Sequence, residues 1–302
     1  MFARRIAAAA LIAAAAFLLV WFTRPAAPLQ PTHITGPTMG STYAISYHGK
    51  GAPDAAQMQR EVQAILDEVD AAVSTYRSDS ALARFNAAPA GTCMDMPQAA
   101  VDLAQHAITL SQESGGAFDT TLLPALQAWG FGHSKKPALP ASAPDEAQLA
   151  ELRQRTGMTH LRVQGQQLCK DAPIHVEFNA IAAGYAIDRI AARFEQLGVH
   201  DHLIEVTGEI RGSGTRPDGT PWRVGIEAPL DGARQAQRIV PLSGMALSTS
   251  GSYRNWRATA DGLSTLLMAL GETQGFAWAS ERDIAALFVI PAEGGDKGDN
   301  PA

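Results

Sequence analysis

Apolar and polar positions alternate through STYAISYH at 41–48, the two-residue period of a half-buried strand. After a break of Gly, Pro and Asp, Met58, Val62, Ile65, Leu66, Val69 and Val73 recur at helical spacing and predict a helix over 55–73. The same reading predicts a helix at 98–111, strands at 160–163 and 175–178, a helix at 181–197, and strands at 203–206, 222–227 and 238–241. In ADGLSTLLMALG (260–271), Leu263, Leu266, Leu267 and Leu270 form one apolar stripe, which marks a last helix. The Pro-rich stretch at 135–146 reads as a loop that divides the body loosely. Helices and strands alternate without a regular βαβ rhythm, so the expected class is α+β, mixed sheets with packed helices.

The two ends carry different patterns. Residues 1–22 place Arg4 and Arg5 before an unbroken apolar run, with Thr23, Arg24 and Pro25 behind it, the order of a secretory segment. Residues 1–24 are therefore expected to be a signal peptide or an N-terminal membrane anchor, and both remain open because the run is near the lower limit for spanning a bilayer. No cysteine follows it, which excludes a lipoprotein anchor, and the arginines on the near side orient the rest outside the cytoplasm. Residues 25–37 read as a tether, 38–292 as the folded body and 293–302 as a polar, disordered tail.

Composition narrows the function. The chain has 302 residues, 46% hydrophobic and 18% charged, enough for a core that needs no staple and too apolar for wholesale disorder. Twenty-four Lys+Arg against 30 Asp+Glu give a formal charge of -6 with no basic run, so a nucleic-acid partner is not expected. Cys93 and Cys169 stand in no CxxC or Cys/His spacing, which argues against zinc and allows at most one disulfide.

Four stretches can carry chemistry. Asp261 and Thr265 are four residues apart, so both oxygens project from one helix face, a pairing that suits a hard divalent cation such as Mg²⁺. Equally, Asp261 can cap the helix and Thr265 can bond back along it. FNAIAAGYAID (178–188) joins a strand to a helix through small residues, which permits either close approach of a ligand to backbone or close helix packing, with Asn179 as a candidate cap. SGGAFDTTLLPALQAWGFG (114–132) sets Asp119 beside Phe118 and an aromatic cluster ending in Trp129 and Phe131, a pocket for a flat ring or simply core. VTGEIRGSG (206–214) and STSGSYRN (248–255) are Gly- and Ser-rich turns able to present N–H groups to phosphate.

The succession MGSTY (39–43), STYRSDSALARFN (74–86), GGAFDTTLLPALQAWGFG (115–132), FNAIAAGYAID, EVTGEIRGSG (205–214), PWRVGIEAP (221–229), STSGSYRN and ADGLSTLLMALG resembles the ApbE family of FAD:protein FMN transferases over about residues 38–290. The resemblance implies an exported, periplasmic protein of T-fold-like α+β architecture. It further implies Mg²⁺-dependent transfer of FMN from FAD to a Ser or Thr of an acceptor protein, with release of AMP, the acceptors being subunits of membrane redox complexes. Some members also hydrolyse FAD. Carried over by position, it implies flavin or nucleotide contacts at Met39, Tyr76, Ala117, Phe118, Asp119, Glu177 and Ala183, and metal ligation by the Ala180 carbonyl, Asp261 and Thr265.

This sequence departs from the family pattern twice. Ala183 stands where many members have Lys. A block of the form His-x-x-Asp-Pro-x-Thr-Gly, followed by a strand, normally lies between the TSG-x-Y-R-N turn and the Asp/Thr helix; here only Trp256, Arg257, Ala258 and Thr259 separate Asn255 from Ala260. That histidine is the natural general base for the acceptor hydroxyl, so no catalytic residue is identified. The last histidines in the chain are His200 and His202, and the lost strand is expected to leave a gap or an exposed sheet edge.

Overall fold

The structure is a computed structural model that describes residues 30–128, 144–227, 236–249, 262–282 and 286. The N-terminal segment 1–24, Trp129 and Phe131, most of the Pro-rich loop, the 250–261 junction with Asp261, and the tail 293–302 lie outside the described residues.

Strands β1 (Thr32–Thr38) and β2 (Ser41–His48) form an antiparallel hairpin around Met39 and Gly40. Both turn residues have left-handed φ, 47° and 74°, the geometry that matches the twist of paired strands. β1 corrects the tether boundary: 32–37, rich in Thr, Gly and Pro, is an edge strand because every second residue seats on β2 and Ile34 enters the core. Helix α1 (Ala55–Val73) starts at Asp54, whose carboxylate accepts the Gln57 N–H at 2.8 Å, and buries Met58, Val62, Leu66, Val69 and Val73, the stripe read from the sequence. Then come α2 (Ala81–Ala87), β3 (Thr92–Asp95), α3 (Gln98–Glu113), α4 (Leu123–Ala128) and α5 (Glu146–Arg153). α5 opens on a reciprocal capping box between Asp145 and Gln148. A single 3-10 turn (Met158–His160) leads into β4 (Leu161–Gln164) and β5 (Gln167–Lys170).

Helix α6 (Asn179–Gln196) buries Ile181, Ala182, Ala183, Ala186, Ile187, Ile190, Ala191 and Phe194. It is followed by β6 (Asp201–Val206), β7 (Glu209–Ser213), β8 (Trp222–Glu227), β9 (Ala236–Leu242), β10 (Met245–Leu247) and α7 (Gly262–Glu281), which is broken at Gly271 (φ 73°). The strands make a five-stranded sheet in the order β1-β2-β6-β7-β10, a three-stranded sheet β3-β5-β4 and a ribbon β8-β9. All ladder pairings are antiparallel, so the observed class is the expected α+β. α1 and α6 pack on the large sheet, and α3 packs against both helices and the small sheet, around Tyr43, Ile45, Tyr47, Leu66, Phe85, Leu103 and Phe194.

The structure differs from the sequence reading at several elements. Segment 175–178 joins no ladder; only an isolated parallel bridge, Leu122 to His175, holds it as strand. The Gly-rich stretch 206–214 is a hairpin, its turn Thr207 and Gly208 and its second arm β7. β3 and β5 are joined by a Cys93–Cys169 disulfide between directly opposed residues. Among the described residues, β10 ends the large sheet, with Met245 half exposed and Ile239 of the neighbouring ribbon 54% exposed.

Candidate functional site

The register places several quoted blocks at one end of the large sheet. Tyr43 faces Val206 across the β2–β6 ladder, so the Met39–Gly40 and Thr207–Gly208 turns lie side by side, tied by the Thr207 N–H donating to the Thr42 carbonyl at 3.0 Å. Met39 and Thr207 both adopt left-handed φ (47° and 55°), unusual for residues with a side chain. The Met39 side chain packs partly against the core. Because α6 returns through a short loop to begin β6, its N-terminus lies toward the end of the sheet where β6 finishes. Arg211 of β7 pairs with Asp188 two turns into α6, which fixes that alignment.

An extended strap, 174–178, delivers the chain into α6. On one side, the Asn86 amide donates to the Val176 carbonyl and accepts the Val176 N–H, both at 2.8 Å. On the other, the Glu177 N–H donates to the Thr120 carbonyl at 2.8 Å. Thr120 follows Asp119, whose Oδ1 accepts both the N–H and the hydroxyl of Thr121, at 2.7 and 2.6 Å. The Gly157 N–H closes the set on the Thr121 hydroxyl at 2.6 Å. Phe118, 3% exposed, anchors this loop in the core, and Ala117 packs partly beside it. The structure thus joins Ala117, Phe118 and Asp119 to Glu177, although these stretches are far apart in sequence.

Glu177 accepts the Asn179 N–H at 3.1 Å, so it satisfies one of the open donors at the start of α6. The residue read as a cap, Asn179, is instead the first helical residue, and Phe178 at the cap position makes no side-chain bond. Surrounding protein pushes the Glu177 carboxyl up to about 7, against the opposing pull of its Asn179 hydrogen bonds. Ala180 lies in the first turn, partly buried. Ala183 is 6% exposed on the core face of α6, where it offers no polar group. Tyr76 stands 68% exposed on the loop after α1. That loop is pinned by the buried Ser80 hydroxyl, which donates to the Ser74 carbonyl at 2.6 Å.

The metal set is only partly described. Of the three ligands the family resemblance implies, Thr265 lies on α7, Ala180 in the first turn of α6, and Asp261 outside the described residues. A carbonyl, a carboxylate and a hydroxyl would make an all-oxygen donor set, the kind that suits a hard cation such as Mg²⁺ rather than a soft metal. The described residues contain no cluster of three His, Cys, Asp or Glu that could hold an ion by itself.

His202 does not serve as a replacement base. It is fully buried opposite Tyr47 with its ring edge-on to Phe194 at 5.4 Å, and its Nε2 has no hydrogen-bond partner. Burial lowers its pKa, so it sits neutral inside the core. Two residues that sequence reasoning missed are Asn86 and Lys170. Asn86 lies within the quoted 74–86 block, but nothing local signals that its amide pairs with backbone 90 residues away.

The sequence pattern of the ApbE family matches residues 39–258. A FAD:protein FMN transferase from Vibrio cholerae is 33% identical over 305 aligned positions, which cover 89% of this chain and 90% of the relative. The crystal structure of the Pseudomonas stutzeri flavinyl transferase ApbE, in its apo form, superimposes with a TM-score of 0.75 at 40% identity, covering 86% of this chain and 92% of that one. The flavin transferase ApbE from Vibrio cholerae gives a TM-score of 0.76 at 34% identity, over 85% and 92% of the two chains. With the family pattern matched over 39–258 and relatives above 30% identity over most of both chains on the same fold, the chain belongs to the ApbE family.

Proposed function

We propose that this protein is a FAD:protein FMN transferase that moves the FMN half of FAD onto a Ser or Thr hydroxyl of an acceptor protein and releases AMP. The observation that carries the reading is the joining of the Ala117–Asp119 loop to Glu177 through Thr120, at the start of α6. Family membership, with relatives named for this transfer, supports it. In the reaction the acceptor oxygen bonds to the FMN phosphorus while the bond from that phosphorus to the AMP phosphate oxygen breaks, and the hydroxyl proton passes to a base. Mg²⁺, held by the Ala180 carbonyl, Asp261 and Thr265, would supply neutralisation of the pyrophosphate charge. The chain's own task is to align: Met39, Tyr76, Ala117, Phe118, Asp119 and Glu177 seat the dinucleotide, and the rigid strap keeps their spacing fixed. Ala183 contributes only backbone and a small methyl.

A second reading has its own observation. No histidine lies between Asn255 and Ala260, and His202 is locked in the core. A chain that seats FAD yet lacks a base for the acceptor hydroxyl would hydrolyse FAD, or only bind it. The test incubates the full chain with FAD, Mg²⁺ and an acceptor protein carrying a Ser/Thr flavinylation site. Flavin fluorescence on a denaturing gel and free AMP are then read together. A fluorescent acceptor with AMP supports transfer; AMP alone supports hydrolysis; neither product overturns the enzyme reading.

The proposed setting is the periplasm, with residues 1–24 as signal or inner-membrane anchor and subunits of membrane redox complexes as acceptors. The Cys93–Cys169 disulfide supports an oxidising compartment.

A further inference from the structure

Lys170 is an anomaly of this core. It ends β5 with only 1% of its surface exposed, and among the described residues no carboxylate is bonded to it. Its Nζ donates to the Asn86 carbonyl at 3.0 Å and to the Ile174 carbonyl at 3.3 Å, and it lies 5.1 Å from the centre of the Phe85 ring. A buried ammonium is costly unless its surroundings replace water, and here two carbonyl dipoles and a ring face do so. The Asn86 carbonyl belongs to the last turn of α2, the negative end of a helix, where a cation is favoured. An apolar residue of the same length would fill the space but leave both carbonyls without that donor.

The two carbonyls are not arbitrary. Asn86 is the residue whose side chain clasps Val176 from both sides of its peptide, and Ile174 begins the same strap. One ammonium therefore ties the end of α2 to the start of the segment that carries Glu177, while Thr120 holds the opposite side. The far end of the lysine is fixed as well, because β5 is paired on both edges and Cys169 is disulfide-linked to β3. We propose that Lys170 is a positioning residue for flavin binding: acting through Asn86 and the 174–178 strap, it sets where Glu177 meets the dinucleotide. This rests on the flavin reading above.

The experiment measures the FAD dissociation constant by flavin fluorescence for the full chain, Lys170→Met, Glu177→Gln and the double variant, well below each unfolding midpoint. Wild type should bind FAD, and Lys170→Met should bind it about 10-fold more weakly, the usual effect of removing an outer support. In the Glu177→Gln background, Lys170→Met should have little further effect, because both changes act on one contact. A purely structural lysine would lower the unfolding midpoint while leaving the dissociation constant of the folded protein unchanged, and that result would overturn the proposal. So would full additivity of the two substitutions. If Lys170→Met does not fold, Asn86→Asp replaces it. That variant keeps the acceptor for the Val176 N–H and loses the donor to the Val176 carbonyl, with the same weakening expected and unchanged affinity overturning the idea. Wild-type protein that does not bind FAD overturns the flavin reading itself, an outcome distinct from failure of the variants.

Discussion

The carboxyl of Glu177 is held in its neutral form more readily than in an unfolded chain, because the protein around it raises its pKa from 4.5 to about 7. The folded state therefore binds the extra proton between those values, and its stability falls as pH rises through that window, reaching the full cost above 7. Glu177→Gln keeps the shape and removes the titration, so at pH 8 it should be more stable than wild type by about 2 kcal/mol in urea unfolding, even as it weakens FAD binding. An equal pH slope in both proteins would show that Glu177 is solvated like a surface carboxylate. His202 pulls the other way. Its pKa is lowered from 6.5 by burial, so the stability of its neutral ring is complete above 6.5 and is lost as pH falls below it. His202→Leu, which removes the Nε2 that lacks a partner, should flatten the acid limb of the unfolding curve. Because the ring is buried against Phe194, the same variant should leave FAD turnover unchanged, and a large loss would reinstate His202 as a base.

At the scale of elements, the small β3-β5-β4 sheet depends on a link that joins residues 76 positions apart. Replacing Cys93 and Cys169 with Ser should cost about 3 kcal/mol by releasing that loop in the unfolded chain, read as a lower urea midpoint. An unchanged midpoint under reducing and oxidising conditions would show the bond adds nothing. The elements that announced themselves in the sequence were those with long one-face periods. α1 is the clearest, since its stripe faces a continuous core and its cap is the residue before it. β1 was hidden because its role is pairing rather than burial: Thr, Gly and Pro suit an edge, and only Ile34 and Thr38 are buried. β7 was hidden behind its own glycines, which read as turn although Gly212 sits inside the strand, where Leu242 approaches too closely for a side chain. Met39, Phe118, Asp119 and Glu177 are named as flavin contacts only by the family resemblance of their blocks; what the structure adds is the hydrogen-bonded link from Asp119 through Thr120 to Glu177. Asn86 and Lys170 were not legible in the sequence, since a lone amide in a short helix and a lysine at a strand end have meaning only through contacts 84 to 90 residues away.

At the scale of the whole molecule, the fold is that of the ApbE proteins, while the histidine-bearing block expected from the family pattern has no counterpart between Asn255 and Ala260. The proposed flavin contacts at Met39, Ala117, Phe118, Asp119 and Glu177 all lie outside that block, so FAD recognition should survive. Among the described residues, β10 ends the large sheet after three residues, and Phe276 on α7 is 61% exposed. Proton removal by a positioned base is worth about 100-fold or more in rate, and His202, buried in the core against Phe194, does not supply one. Transfer of FMN to a Ser/Thr acceptor by this chain should accordingly run at least about 100-fold slower than by the Vibrio cholerae relative under the same conditions, with the FAD dissociation constants much closer together. Inserting a block of the family form His-x-x-Asp-Pro-x-Thr-Gly with its following strand between Asn255 and Ala260 should recover most of the difference. Transfer as fast as the relative's without the insertion would mean that a base outside this account serves the acceptor hydroxyl. An insertion that restores solubility but not transfer would instead place the lost function in the strand rather than in the histidine, and a His→Ala change within the inserted block separates the two.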